Sequence, residues 1–238
     1  MQTAIPQIAI IIPTYNAKDS IVRTIFGVLI KVKNSIIIVV DDNSPDGTAQ
    51  LINKSFSSNK KIKLIVRKKK GGRGSAVIHG FKEGLKNKNI KFFIEMDADL
   101  CHNPRYIPLL VKGCTKFDVV IASKYLKLSK INGLSIKRII FSRIVNFYLR
   151  RMLKIPITDY TNGYRCYKRI VLEKINLDSI KAKGFITLSE IAYRIYKKGF
   201  SFGEIPFNFK SYNVNKSNFN IKEVAEALLI TSRLILRG

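Results

Sequence analysis

The feature that most constrains the fold of this chain is the alternation of short apolar runs with longer amphipathic stretches through its first half. The runs are mostly continuous, which is typical of strands buried on both faces of a sheet. They predict five strands: Ile8–Ile12, Ile36–Val40, Ile62–Val66, Phe92–Met96 and Val119–Ala122. Helices are predicted between them, at about 18–32, 48–57, 74–88 and 104–114. This βαβα order indicates an α/β fold with a parallel sheet covered by helices.

Polar and special residues follow each of the first four predicted strands. Because the carboxyl ends of parallel strands meet at one edge of a sheet, ligands of such sheets bind there. The four blocks are Pro13-Thr14-Tyr15-Asn16, residues 41–48, residues 70–76 and Asp97-Ala98-Asp99. Turn chemistry can explain any one of them, since Asn, Asp, Gly and Pro dominate loops. Four blocks at the same edge predict a binding site.

Two carboxylates, Asp97 and Asp99, lie two residues apart directly after an apolar run. In a strand, alternate side chains share a face, so both can point at one spot. Two hard oxygen ligands suit Mg²⁺ or Mn²⁺ carrying phosphates. A solvated acidic pair is the alternative reading of these two residues alone.

Asp41 and Asp42 end the second predicted strand. A carboxylate there can accept hydrogen bonds from the N–H groups of a nucleobase or from ribose hydroxyls. The alternative is capping of the following helix by Ser44, Asp46 or Thr48, which would not require both aspartates.

The glycine-rich block after the third predicted strand contains Gly71, Gly72 and Gly74. Glycines permit close backbone approach, and the helix that begins here offers phosphate its N-terminus. A plain flexible turn is the alternative. The block is not a P-loop, because the Gly-Lys-Ser/Thr ending is missing.

The chain is strongly basic, with 43 Lys and Arg against 16 Asp and Glu and a formal net charge of +27. This charge predicts an anionic partner, namely a nucleic acid, an anionic membrane surface or a phosphorylated substrate, unless it reflects compositional drift. Nucleic acid is disfavoured, because no nucleic-acid motif occurs and the aromatic residues are not interleaved with basic ones. The three cysteines have no metal spacing and favour a reducing compartment. We expect neither a signal peptide nor a membrane span.

Seven sequence blocks together carry a family resemblance. They are Ile12–Asn16, Val40–Thr48, Gly72–Ala76, Met96–Leu100, Ala122–Tyr125, Asp159–Arg165 and Glu204–Pro206. The chain resembles the family 2 glycosyltransferases of the GT-A fold, and among them the dolichyl-phosphate (polyprenyl-phosphate) mannose synthases, over about residues 8–217. The resemblance implies a Rossmann-like, mixed but mainly parallel sheet flanked by helices. It also implies one domain over 1–217, with an acceptor- or membrane-facing segment at about 127–155, and a C-terminal amphipathic helix over 218–238.

The activity implied by the resemblance is inverting transfer of mannose from GDP-mannose to a polyprenyl (dolichyl-type) monophosphate, with Mg²⁺ or Mn²⁺ as cofactor. The implied partners are the nucleotide sugar, the polyprenyl phosphate and a membrane surface, and they can include separate membrane subunits. The implied location is the cytoplasmic face of a membrane, where the chain would be peripheral. Nucleic acid is not expected. A UDP-glucose-dependent polyprenyl-phosphate glucosyltransferase and a non-catalytic scaffold are the alternatives.

The resemblance also assigns roles to individual residues. Nucleotide-sugar binding falls to Pro13, Tyr15, Asn16, Asp41, Asp42, Gly72, Gly74, Asp97, Ala98 and Asp99. Metal binding falls to Asp97 and Asp99, and acceptor-phosphate binding to Lys124 and Arg138. The expected catalytic residues are Asp99, Lys124, Arg138, Asp159 and Arg165. The chain departs from the family pattern at Ala17, Cys101, Lys124 and Tyr212, and in the late loop at Asn215, Ser217 and Asn218.

A basic amphipathic helix is predicted over residues 136–154. Its predicted apolar stripe consists of Phe141, Val145, Tyr148, Leu149 and Met152, with Arg143, Arg150, Arg151 and Lys154 largely off the stripe. Such a helix can lie in an anionic membrane interface, and core packing of the stripe is the alternative. A second amphipathic helix is predicted over Ile221–Leu236.

Overall fold

The computed structural model describes residues 7–182, 184–212 and 228–235. The strands are β1 (Ile8–Thr14), β2 (Ser35–Asp41), β3 (Ile62–Val66), β4 (Phe92–Glu95), β5 (Val119–Ser123), β6 (Ile131–Asn132), β7 (Arg165–Lys168), β8 (Phe202–Pro206) and β9 (Phe209–Lys210). The helices are α1 (Ile21–Lys31), α2 (Thr48–Phe56), α3 (Arg73–Leu85), α4 (Ile107–Gly113), α5 (Ile136–Leu153), α6 (Arg169–Lys174) and α7 (Thr187–Lys197). Two 3₁₀ turns lie at Pro104–Tyr106 and Leu177–Ser179, and residues 228–235 form a further helical segment, α8.

Seven strands form one sheet in the order β3-β2-β1-β4-β7-β5-β8. All neighbouring pairs are parallel except those of β7, which runs antiparallel to both β4 and β5. The predicted mixed, mainly parallel sheet flanked by helices is therefore confirmed. Because β7 runs in the opposite direction, its start lies at the edge where β1, β2, β4 and β5 end.

The sheet is buried on both faces, which explains the continuous apolar runs. In β1, Ala9 and Ile11 belong to one apolar cluster with Phe81 of α3, while Ile10 and Ile12 belong to a second cluster on the other face. All of these residues are fully buried. Alternate residues of a strand point to opposite faces, so a strand covered on both sides has to be apolar throughout.

The elements predicted for the first half are observed within a few residues of the expected bounds, but one detail differs. β4 ends at Glu95, so Asp97 and Asp99 lie beyond the strand, in a turn where Leu100 adopts a φ of 67°. The expectation that a shared strand face aligns the two aspartates is therefore wrong, and the turn positions them instead. β6, β7, β8, β9, α6 and α7 were not predicted.

Helix α5 is observed where it was predicted, and its orientation favours core packing over membrane contact for its predicted apolar stripe. Leu149 is fully buried, and Val145 and Tyr148 pack against the core, so this side of the helix covers the sheet. None of the described helices is long and apolar enough to cross a membrane. Of the predicted helix Ile221–Leu236, residues 228–235 are helical, and the remainder lies outside the described residues, as do the boundary at 217/218 and the late-loop residues Asn215, Ser217 and Asn218.

Candidate active site

The ends of β1 and β2 are joined by a buried carboxylate. Thr14 and Asp41 are register partners, and Thr14 Oγ1 donates to Asp41 Oδ1 at 3.0 Å. Asp41 also accepts hydrogen bonds from Ser44 Oγ at 2.6 Å and from the Ser44 N–H at 2.8 Å. Its exposed fraction is 0%. Asp41 thus shapes the sheet edge from within, and its predicted contact with a nucleoside stays a prediction.

Asp42 fastens the glycine-rich loop to the end of β2. Its Oδ2 accepts the N–H groups of Gly71 at 3.1 Å and Gly72 at 2.8 Å, and Gly72 has a φ of 91° that favours glycine. Its Oδ1 lies 2.7 Å from Arg67 Nη1, so the two side chains form an ion pair. No described residue donates a hydrogen bond to this oxygen, and the contact with Arg67 is therefore one of charge. Arg67 therefore joins the edge although it was not among the predicted site residues.

The first block presents two side chains to solvent. Pro13 is buried, whereas Tyr15 and Asn16 are exposed, and Asn16 adopts a φ of 55° while its N–H donates to Ser44 Oγ at 3.0 Å. The ammonium group of Lys70 lies 3.7 Å from the centroid of the Tyr15 ring, so the first block and the glycine-rich block meet. This arrangement provides an aromatic face and a cation at the open edge.

Gly74 is needed for packing. A Cβ at this position would lie 2.0 Å from Thr187 Oγ1 of α7, so the absence of a side chain permits the close approach of α3 to α7. Ala98 is also buried, and its carbonyl oxygen accepts a hydrogen bond from Thr24 Oγ1 at 2.9 Å. Both residues hold site-bearing segments in place, and their predicted contacts with a nucleotide sugar stay predictions.

Arg73 links three of the sequence blocks through its guanidinium group. Its Nη1 donates to Glu95 Oε1 at 2.7 Å, while Nε and Nη2 both donate to Asp97 Oδ1. A Cβ at Gly163 would lie 2.1 Å from Arg73 Nη2, so this glycine leaves the space that the guanidinium group fills. Sequence reasoning missed this group. The available signal was Glu95, an acid inside an apolar strand, because a buried carboxylate requires a cationic or hydrogen-bonding partner.

The charges of this group settle the ionisation of Asp97 and Arg73. Burial opposes ionisation of Asp97, but the adjacent Arg73 guanidinium outweighs it and holds the pKa of that carboxyl below its usual range. Burial likewise opposes the charge on Arg73, and the carboxylates of Asp97 and Glu95 raise its pKa nonetheless. Asp97 and Arg73 are therefore both ionised at neutral pH.

His102 connects the Asp97 turn to the Asp159–Arg165 block. Its Nδ1 accepts the Asp97 N–H at 2.9 Å, and its Nε2 lies 2.9 Å from Asn162 Oδ1, which requires Nε2 to carry the proton. The ring stacks on Tyr164 with 4.7 Å between centroids and 8° between planes. These contacts describe a neutral, buried histidine that fixes the turn, a role absent from the sequence-based expectations.

Asp97 and Asp99 fit a cation that takes its other ligands from a substrate. Arg73 occupies Oδ1 of Asp97, so its Oδ2 is the oxygen left for a cation. Asp99 is exposed, and its Oδ1 accepts the Cys101 N–H at 3.0 Å. Within the described ranges no third His, Cys, Asp or Glu completes a metal cluster. Such an open pair suits Mg²⁺ or Mn²⁺, which commonly bind one or two carboxylates together with substrate phosphates.

Cys101 is protonated at neutral pH. Burial raises the pKa of its thiol to about 12, and the neighbouring Asp99 carboxylate acts in the same direction. The departure from the family pattern at this position therefore places a buried, protonated thiol beside the aspartate pair.

Lys124 and Asp159 form a buried ion pair beside the end of β5. Lys124 Nζ lies 3.0 and 3.2 Å from the two oxygens of Asp159, whose exposed fraction is 0%. Asp159 Oδ1 also accepts the N–H groups of Thr161 at 3.2 Å and Asn162 at 3.0 Å. Asp159 thus accepts hydrogen bonds from its own loop and also holds the Lys124 ammonium at the sheet edge. The Lys124 side chain is 9% exposed there.

Arg138 and Arg165, both expected catalytic residues, occupy opposite environments. Arg138 is exposed in the first turn of α5 and makes no salt bridge with any described residue. Arg165 is fully buried and donates to the carbonyl oxygens of Tyr160, Asn162 and Leu188, each at 2.8 Å. Direct contact with a substrate, as expected for a catalytic residue, is therefore corrected for Arg165. Each of its three guanidinium nitrogens donates to a backbone carbonyl oxygen, and the side chain positions the Asp159 loop.

Comparisons with known proteins agree on one family. The sequence model described as "Glycosyl transferase family 2" matches residues 9–176. The polyprenol monophosphomannose synthase of Mycolicibacterium smegmatis is 32% identical over 231 residues, which cover 96% of this chain and 87% of that protein. The undecaprenyl-phosphate mannosyltransferase of Micrococcus luteus is 33% identical over 223 residues, covering 94% and 91%.

Solved structures share the fold at lower sequence identity. Glucosyl-3-phosphoglycerate synthase of Mycobacterium tuberculosis, in complex with phosphoglyceric acid, superposes with a TM-score of 0.67 at 17% identity, covering 98% of this chain and 80% of that one. A mannosyltransferase of Pyrobaculum calidifontis, in complex with GDP-mannose and Mn²⁺, gives a TM-score of 0.66 at 20% identity, covering 99% and 66%. These likenesses confirm the GT-A architecture of the chain.

Proposed function

This chain belongs to glycosyl transferase family 2, and from that premise we propose that it transfers mannose from GDP-mannose to a polyprenyl monophosphate, with inversion at the anomeric carbon. The two curated relatives support the choice of sugar and acceptor, since both are named as mannosyl-transferring enzymes of polyprenyl phosphates. The structural relative crystallised with GDP-mannose and Mn²⁺ supports the nucleotide and a divalent cation.

One structural observation carries the proposal: an acidic group and a basic group lie at the same edge of the sheet. Asp97 and Asp99 follow β4, and Lys124 follows β5. Between these strands, β7 begins at Arg165, which pairs with Glu95 on one side and Ile121 on the other. The Asp159 loop therefore enters between them. A cation-binding pair for a diphosphate and a cation for a phosphate acceptor are the two requirements of this reaction.

On the donor side, Asp97 and Asp99 are the residues that would hold a divalent cation. That cation, when bound, offsets the negative charge that grows on the GDP leaving group. The chain keeps Asp97 ionised through Arg73 and fixes its turn through His102. Tyr15 and Lys70 offer an aromatic face and a positive charge at the open side of the same edge.

On the acceptor side, the chemistry requires positioning more than a strong base. A phosphate monoester has a second pKa of about 6, so the attacking oxygen is already largely anionic at neutral pH. One phosphate oxygen forms a bond to the anomeric carbon while the bond from that carbon to the GDP oxygen breaks. In-line displacement converts an α-linked donor into a β-linked product. Lys124 and Arg138 supply positive charge that lets two anions approach.

We propose that the protein acts at the cytoplasmic face of a membrane, as a peripheral protein. The acceptor tail is apolar and stays in lipid, so the phosphate has to be met at the surface. Separate membrane subunits are an expectation of the family resemblance alone.

The deciding experiment measures transfer from radiolabelled GDP-mannose and UDP-glucose to a short polyprenyl phosphate dispersed in detergent, with Mn²⁺ present and after chelation. We expect mannose transfer that disappears on chelation. Transfer of glucose alone would replace this proposal with the UDP-glucose-dependent alternative. Transfer from neither donor would favour a non-catalytic scaffold.

A further inference from the structure

The two halves of the candidate site follow strands that are not neighbours in the sheet. The Asp97 turn follows β4 and Lys124 follows β5, and β7 lies between these strands. Neighbouring strands lie roughly 5 Å apart, so β4 and β5 are about 10 Å apart. The proposed transfer requires a phosphate oxygen and an anomeric carbon to meet in line, and a misplacement of roughly 1 Å can lower a rate about 100-fold. The two halves therefore need a rigid connection.

His102 closes the turn that carries both candidate metal ligands. Its Nδ1 accepts the Asp97 N–H at 2.9 Å, so the residues from Asp97 to His102 form a closed turn that includes Asp99. The ring is 2% exposed, stacks on Tyr164 at a centroid distance of 4.7 Å and contacts Phe207 at 6.0 Å. Because packing on these rings fixes the orientation of the imidazole, the hydrogen bond holds the turn in one place.

The other ring nitrogen of His102 connects to the acceptor half. Nε2 donates to Asn162 Oδ1 at 2.9 Å, and the Asn162 side chain donates to the carbonyl oxygen of Ala122 in β5. The Asn162 backbone N–H donates to Asp159 Oδ1 at 3.0 Å, and Asp159 holds the Lys124 ammonium. Asn162 is 5% exposed, so this bridge is shielded from water. Two buried side chains thus link the Asp97 turn to the Asp159 loop.

We propose that His102 is a positioning residue for the transfer, and that it sets the distance between the Asp97 turn and the Asp159 loop. The inference rests on the proposed function for what the two halves bind. The bonds of the ring argue against a direct catalytic role, because both nitrogens are engaged and the ring is buried. Nε2 lies 3.8 Å from Asp97 Oδ2, which is beyond hydrogen-bonding distance, so the imidazole leaves this oxygen to a cation.

Two variants separate the roles of the two ring nitrogens. An asparagine can place its oxygen near the position of Nδ1, and a glutamine amide can reach the position of Nε2. His102→Asn should therefore keep the bond from the Asp97 N–H and lose the bridge, whereas His102→Gln should lose the bond from Asp97. We expect Mn²⁺ affinity in the presence of GDP to stay within about threefold of the wild type in His102→Asn and to fall about tenfold or more in His102→Gln. The control His79→Gln, at an exposed position on α3, should leave this affinity unchanged. An equal loss in both His102 variants would contradict the separation.

Steady-state kinetics test the bridge itself. With a short polyprenyl phosphate as acceptor, His102→Asn should lower kcat by about tenfold or more, while the KM for the acceptor stays close to that of the wild type. Both halves still bind in this variant, and only their alignment is lost. Asn162→Ala interrupts the same bridge, so adding His102→Asn to it should lower kcat no further. A wild-type kcat in His102→Asn, or losses that multiply in the double variant, would overturn the inference. Urea denaturation checks that each variant is folded under the assay conditions.

NMR of the wild-type chain gives a readout that needs no substitution and no turnover. The chain contains two histidines, so isotopic labelling of histidine nitrogens gives separate signals for His79 and His102. The His102 signals should report a proton on Nε2 alone. They should shift on addition of diamagnetic Mg²⁺ with GDP and also on addition of the polyprenyl phosphate, whereas those of His79 should not. A response to only one of the two ligands would contradict a bridge. If the wild type transferred no sugar, the proposed function would fail, while these spectra and the Mn²⁺ titrations would still decide the role of His102.

Discussion

Two nitrogens of Arg73, Nε and Nη2, donate to the same oxygen of Asp97, Oδ1, at 2.9 and 2.6 Å. The remaining nitrogen, Nη1, donates to Glu95, which is fully buried. One guanidinium group therefore serves two carboxylates, one inside the sheet and one at the candidate cation site. Because Glu95 is fully buried, loss of the Arg73 guanidinium should destabilise the fold.

Replacing Arg73 by Gln should lower the free energy of unfolding by about 3 kcal/mol, because it leaves the Glu95 carboxylate buried without a cation. Adding Glu95→Gln in the same chain should restore much of this loss, since no unpaired charge is then buried. Urea denaturation of the wild type, both single variants and the double variant measures the coupling. The exposed pair Lys63–Glu83 is the control, and Lys63→Gln should cost about 0.5 kcal/mol or less. Strict additivity of the Arg73 and Glu95 variants would refute the pairing.

Asp99→Ala should weaken Mn²⁺ binding in the presence of GDP by about tenfold or more, because substitutions at metal sites typically lower metal affinity by this much. The same variant should abolish sugar transfer. The fold should survive, because Asp99 is exposed. Calorimetric titration of Mn²⁺ with GDP and a thermal melt measure the two properties. Asp178→Ala, which removes an aspartate that is 80% exposed elsewhere, should leave Mn²⁺ binding unchanged. Undiminished Mn²⁺ affinity in Asp99→Ala would exclude Asp99 as a ligand.

Lys124→Ala should cost about 3 kcal/mol of stability, because the fully buried Asp159 carboxylate loses its cation. Lys124→Arg keeps the charge and adds a bidentate fork, so it should retain stability and acceptor binding. Urea denaturation and the KM for a short polyprenyl phosphate distinguish the two variants. If Lys124→Ala were as stable as Lys124→Arg, the ion pair would not contribute to the fold.

Arg138→Gln should raise the KM for the polyprenyl phosphate by roughly tenfold, the effect of losing one charged hydrogen bond. Stability should change by about 0.5 kcal/mol or less, because the side chain is exposed and makes no salt bridge with a described residue. Initial rates in detergent at varied acceptor concentration give the result. Arg23→Gln, another exposed arginine, on α1, is the matched control and should leave the KM unchanged. A KM equal to that of the wild type would remove Arg138 from the acceptor site.

Asp118→Asn should reduce the loss of stability in acid. Burial opposes ionisation of Asp118, but hydrogen bonds from Ser201 and the Lys168 ammonium lower its pKa overall. A carboxylate with a lowered folded-state pKa stabilises the fold above its unfolded pKa, and that contribution disappears as pH falls through the folded value. The variant should therefore lose about 1 kcal/mol at neutral pH and converge with the wild type below pH about 4. Urea denaturation across this range measures both, and parallel curves would contradict the assignment.

Much of the candidate site follows from local sequence, because each block ends a strand whose burial the sequence reveals. The positions of Asp41, Asp42 and Asp97 at one edge were predicted in this way, whereas Lys124 was assigned only through the family resemblance. Arg165 was misjudged because a buried arginine and a substrate-binding arginine look alike in sequence. Only the carbonyl oxygens around its guanidinium group distinguish them.

The sequence by itself determined the βαβα order, the mainly parallel sheet and the edge at which polar residues collect, since the periodicity of apolar residues reports how each element is buried. Tertiary structure alone decided three matters. It inserted β7 between β4 and β5, it paired Arg73 with Glu95 across 22 positions, and it chose which apolar face of α5 covers the core. The physical reason is that periodicity records only that a face or a charge must be buried. Which partner buries it depends on contacts between residues far apart in the chain.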